Sequence, residues 1–281
     1  MRIVTGMHRS GTSFVCQCLS SLGAEFGDPA LLFPADKWNQ AGYFENVELI
    51  DIDNKLILGK SAKIDNWLNA PEDLFGRAIN SFKSMKWKYF LFPGKRAIMQ
   101  RSRQFEAEMK RLAQVYAGTY VKDPRFCLTL GAWDAVGAVE SVVFSFRNPG
   151  AVAGSIRRRE GLPRWFGHKY WLYHIQGFFA DLPGDTPLYV VDFDAFFLAE
   201  QQDAAFARLR RFMGAPDGGA AEADLKSRLD LRLRTQADPV DDLPTREARV
   251  YAALVDLCER CGDAPVRMAD HQDIRERIMR S

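Results

Sequence analysis

The stretch "RIVTGMHRSGTS", residues 2–13, constrains the architecture of this chain more than any other. Its first residues read as a short buried strand. The following "SFVCQCLSSLG" reads as a helix, with Phe14, Val15, Cys18, Leu19 and Leu22 at helical spacing and Gly23 as its stop. That pattern places Cys18 in the core stripe and Cys16 off it. Between strand and helix, Gly6 and Gly11 frame a tight turn. Such a turn exposes consecutive backbone N–H groups, which with the helix dipole make an anion site.

The loop departs from that of an ATP-cleaving enzyme. Thr12 follows Gly11 where such an enzyme carries the lysine that reaches the β- and γ-phosphates. Ser13 stands where a magnesium-ligating hydroxyl would be. Arg9 lies inside the loop, and its planar fork of donors can clamp an anion bidentately where a lysine acts as a point charge.

Further strands are expected over "TYVKD" (119–123), "SVVFSF" (141–146) and "PLYVVDF" (187–193). Helical pattern separates them. The clearest helix runs over about 165–182, with Trp171, Ile175, Phe178, Phe179 and Leu182 on one face. Strands alternating with helices imply a parallel sheet covered on both sides. The expected fold is therefore α/β: a three-layer P-loop NTPase-like domain with a central, mainly parallel sheet flanked by helices. One domain is expected over 1–281. Within it, 46–118 is a mostly helical insertion broken near "NAPED" and at "FPGK". Residues 220–281 form a helical extension after the break at "GAPDGGAAEAD" (214–224).

Composition excludes several classes. Apolar residues at 47% and charged residues at 26% suit a globular chain with a sizeable core. A net charge of +2 argues against a nucleic-acid partner, although Arg77 to Arg111 carries a local excess of +8 that can line an anion-binding cleft. No apolar run approaches the roughly 20 residues of a membrane span. No targeting segment precedes the first strand, so a cytoplasmic location is expected. Five cysteines, an odd number, argue against a disulfide framework. "CERC" (258–261) lacks a second ligand pair, so no metal is expected.

A second constellation is "VVFSFRNPGAVAGSIRRREG", residues 142–161. Arg147 ends a buried strand, Pro149 starts a helix, and Ser155 lies two helical turns on. An arginine and a serine so placed can converge on one small dianion.

Together, "GMHRSGTS" and "RNPGAVAGS" resemble the sulfotransferase family. So do "GYFEN" (42–46), "VKDPRFCLTL" (121–130), "HKYWLYH" (168–174), "YVVDFDAF" (189–196) and "LDLRLR" (229–234). The Arg-Ser-Gly core of the first loop is similar to that of the carbohydrate-directed and bacterial members. The resemblance implies transfer of a sulfuryl group from 3′-phosphoadenosine-5′-phosphosulfate (PAPS) to a hydroxyl or amine of a small-molecule, glycan or glycolipid acceptor. Carried over by position, it implies that Arg9, Ser10, Gly11, Thr12 and Ser13 hold the 5′-phosphosulfate. Arg147 and Ser155 take the 3′-phosphate, with Arg232 and Arg234 as further candidates.

For the chemistry, Arg9 and Lys122 are expected to stabilise charge on the leaving oxygen and the sulfuryl group. An ion pair with Asp123 is the other reading of Lys122. Glu45 is the first candidate for general base, with His8 and Asp123 as competitors. Trp38, Trp67, Trp87, Tyr43 and Tyr89 lie where related enzymes build their acceptor cleft. Two rival readings stand beside this one: a P-loop small-molecule kinase using ATP and magnesium, and a non-catalytic nucleotide-binding module.

Overall fold

The computed structural model describes residues 1–34, 42–59, 92–215, 225–226 and 243–280. Trp38, Trp67, Trp87, Tyr89, Arg232 and Arg234 lie outside them, as does most of the break at 214–224.

Four strands form a parallel sheet: β1 (Arg2–Thr5), β2 (Tyr120–Lys122), β3 (Ser141–Phe146) and β4 (Leu188–Asp192), in the order β2-β1-β3-β4. Nearly every residue of these strands is buried, as expected where helices cover both faces. The flanking helices are α1 (Thr12–Ser21), α2 (Val47–Leu58), α3 (Lys95–Ser102), α4 (Glu106–Val115) and α5 (Phe126–Ala135). They continue with α6 (Pro149–Glu160), α7 (Arg164–Asp181), α8 (Ala199–Phe212), α9 (Thr245–Cys261) and α10 (Gln272–Met279). All three further strands thus occur where alternation and β-branched composition place them. The helix expected over 165–182 is α7.

Local chemistry sets the helix starts. Asn46 Oδ1 accepts the Glu48 and Leu49 amides at the head of α2, and Asn148 Oδ1 accepts those of Gly150 and Ala151 at the head of α6, where Pro149 is the first helical residue. No side chain caps α1; Gly11 precedes it in the left-handed region at φ 78°.

Cys16 departs from expectation: it is as fully buried as Cys18. α1 is covered on this side too, close enough to Lys122 and Glu45 for their charges to act on the thiol. "CERC" has a structural part. Cys258 Sγ donates to the Val190 carbonyl at 3.4 Å, and Cys261 Sγ accepts the Val190 amide at 3.5 Å. The two thiols thereby satisfy backbone groups on the outer edge of β4, and burial pushes the Cys258 thiol up to about 12.

In the described part of the basic stretch, four of the charges have local partners. Lys95 pairs with Asp181, Lys110 with Glu106 and Arg111 with Glu48, while Arg101 donates to the carbonyls of Leu56 and Ile57 near the end of α2. Among the described residues no helix is long and apolar enough to cross a membrane.

Candidate functional site

The carboxyl ends of all four strands converge. The loop 6–11 leaves β1, Lys122 ends β2, Arg147 follows β3, and Phe193 and Asp194 follow β4. Parallel α/β sheets bind ligands at this edge, because the loops there are free of the strand ladder. A cavity of about 340 Å³ opens there, lined by His8, Arg9, Gly11, Thr12, Ser13, Tyr43, Glu45, Lys122, Arg147, Ser155, Arg158, Arg159 and Phe193 among others.

The two sequence constellations, about 140 residues apart, therefore face one space. They also touch. Arg9 Nε donates to Ser155 Oγ at 2.9 Å, and an Arg147 terminal nitrogen donates to the Arg9 carbonyl at 3.4 Å. Arg9 holds φ 73°, a left-handed conformation uncommon for any residue but glycine, in keeping with strain concentrated at functional loops. Ser10 is the exception among the expected ligands. It is fully buried, and its carbonyl accepts the Ser145 hydroxyl at 2.7 Å. It supports the loop from beneath.

The segment "GYFEN" reaches the site by adding itself to the sheet. Glu45 and Lys122 form a parallel bridge beside β2, with Phe44 in the left-handed region at φ 59°. This brings Glu45 Oε1 within 2.6 Å of Lys122 Nζ, which also lies 3.3 Å from Ser13 Oγ. Lys122 is thus paired with Glu45; Asp123 instead takes Arg125, at 2.8 and 3.1 Å. Arg125 also reaches Glu45 at 3.6 Å and donates through Nε to Asn54 at 3.1 Å. Burial works to raise the Glu45 carboxyl, but Lys122 and Arg125 more than offset it and hold Glu45 below the usual range. Asp123 moves up, because its burial outweighs Arg125. Asp123 is fully buried and does not line the cavity, whereas Glu45 and His8 do.

Like charges crowd the cavity. Burial, with Arg159 and Arg147 nearby, pushes Arg9 down to about 10. A guanidinium so placed remains charged at neutral pH, and the mutual repulsion of such a cluster is relieved by a polyanion. His8 is held well below its ordinary value by burial and by Arg125, His174, Lys122 and Arg159, so it presents a neutral imidazole to the cavity. Arg158, Arg159 and Phe193 carry no role in the sequence reading. The first two continue the Ser155 face of α6 for one more turn, a signal that helical spacing contains. Phe193 has no such signal: only the fold places its ring under Arg147, at 4.8 Å.

Behind His8 lies His174, with ring centroids 6.2 Å apart. Its Nδ1 must carry the hydrogen, since its partner at 2.9 Å is the Tyr170 carbonyl, which can only accept. Burial depresses His174 to about 4. A depressed histidine contributes stability that is present above the unfolded value near 6.5 and lost as pH falls toward 4. His174→Phe is expected to flatten this acid limb by about 3 kcal/mol, read by denaturant titration from pH 7 to pH 4. An unchanged slope would show that other groups set the limb.

Among the described residues no three His, Cys, Asp or Glu side chains group so as to hold a metal ion. No family model matches the chain, and neither does any curated protein or solved structure.

Proposed function

We propose that this chain transfers the sulfuryl group of PAPS to a hydroxyl or amine of a carbohydrate or glycolipid acceptor, by in-line displacement. The observation that carries the reading is the meeting of both anion constellations in one cavity, where Arg9, Lys122, Arg147, Arg158 and Arg159 face a single carboxylate, Glu45. The donor is a polyanion with phosphates at both ends of an adenosine, and the residues present suit it. The uncapped head of α1 with Thr12 and Ser13 suits the 5′ end, and Arg147 with Ser155 suits the 3′ end. When bound, the donor supplies the sulfuryl group and departs as adenosine 3′,5′-bisphosphate.

Each protein group then has a defined task. Arg9 and Lys122 stabilise charge on the departing oxygen. Lys122 spans the loop hydroxyl of Ser13 and the carboxylate of Glu45, so turning its ammonium toward a bound anion loosens its hold on Glu45. Glu45 then becomes a stronger base for the acceptor proton. The same lysine weighs against the kinase reading, because a divalent cation ligated by Ser13 would sit against the Lys122 ammonium.

Adenosine 3′,5′-bisphosphate is expected to raise the melting temperature without magnesium, while ATP with magnesium changes it little. The reverse ranking would replace this reading with the kinase. For the base, Glu45→Gln should lower kcat by about 10²–10⁴ with donor binding retained. Near-normal turnover would pass the role to His8, and a wild type that binds the donor without turnover would favour the non-catalytic module.

A further inference from the structure

The second anion site contains a carboxylate that no part of this reading uses. Asp194, in the turn after β4, lies 3.3 Å from Arg147 Nε through Oδ1 and accepts the Asn148 amide at 2.7 Å through Oδ2. It therefore grips both the arginine and the backbone that carries it. Phe193 supports the guanidinium from below, and Arg147 is 95% buried, so its fork has little freedom. A carboxylate on Nε turns the opposite, terminal-nitrogen edge of a guanidinium outward. Here that edge faces the cavity and the Arg9 carbonyl.

We infer that Asp194 is a positioning residue that aims Arg147 at the 3′-phosphate of the donor, and so sets the preference for nucleotides carrying that phosphate. The inference rests on the proposed donor. An anion beside a phosphate site weakens it by simple charge. Asp194 is useful there only because it takes the Nε side and holds the fork in one orientation, which lowers the ordering cost of binding. The Arg147–Arg9 and Arg9–Ser155 contacts carry that orientation on to the first loop.

Calorimetric titration with adenosine 3′,5′-bisphosphate and with AMP, which lacks the 3′-phosphate, separates the possibilities. The wild type is expected to prefer the bisphosphate; equal affinities would overturn the donor reading, and this inference with it. Asp194→Asn is expected to weaken the bisphosphate about tenfold or more while AMP changes less than about twofold. A merely structural role would lower both affinities together and leave their ratio unchanged, and that result overturns the positioning role alone. If Asp194→Asn melts before titration, Asp194→Glu serves. Its carboxylate is displaced by one methylene, and the ratio should fall in the same direction. An unchanged ratio in that variant also overturns the inference.

Discussion

Gly6→Ala should cost about 3–5 kcal/mol of stability and abolish the proposed binding of adenosine 3′,5′-bisphosphate. A β-carbon at Gly6 would lie 2.0 Å from the Ser145 carbonyl oxygen and 3.1 Å from Thr12 Cγ2. The first of these is backbone of β3, which is paired to β1 on one side and β4 on the other, so it cannot retreat without breaking a ladder. Denaturant titration reads the loss, and a cost below about 1 kcal/mol would mean that the loop does not lie against β3. Gly11→Ala provides the contrast. Its β-carbon would meet the Phe193 ring at 1.9 Å, a side chain rather than backbone. Phe193→Ala in the Gly11→Ala background should therefore cost less than in the wild type, a coupling that additive effects would refute.

Arg125→Met is expected to destabilise the fold by about 3–5 kcal/mol at neutral pH. Removing the guanidinium leaves Asp123, which is fully buried, without its charged partner, and takes one of two cations from Glu45. The layer beneath already holds a carboxyl shifted in this direction: burial and the charge of Asp123 push Asp53 well above the usual carboxylate range, with its Oδ1 accepting from the Trp133 indole at 2.9 Å. Asp123 in the variant would follow the same course. A carboxyl whose folded value is raised contributes stability that is present at low pH and lost as pH rises through that value. The deficit of Arg125→Met should therefore shrink as the pH falls from 7 toward 5 and widen again above it. Chemical denaturation at the two pH values reads this. A pH-independent deficit would assign the cost to lost packing.

What could be read from residues alone follows periodicity and turn chemistry. β3 and the start of α6 are local: an apolar run of β-branched and aromatic residues, then Asn148 as cap and Pro149 in the first turn. The loop of residues 6–11 was equally legible, because its glycines stand between a strand pattern and a helix pattern. Partnerships were not. Lys122 and Asp123 are chain neighbours at a strand end, yet Lys122 pairs with Glu45 and Asp123 with Arg125, a choice made by residues that are distant from Lys122 in sequence or turn back on Asp123 only in the fold. Nor does any local rule bring "GYFEN" alongside β2, since a single bridge across 77 residues is a tertiary contact.

Sequence by itself determined the kind of fold and where the loops after β1 and β3 fall, because strand, helix and turn propensities act over a few residues. Tertiary structure alone decided that the two loops share one cavity, that Glu45 is held by Lys122 and Arg125, and that Asp194 backs Arg147. Those are contacts between the ends of different strands, and only parallel pairing of β1, β2, β3 and β4 carries all of them to the same edge of the sheet.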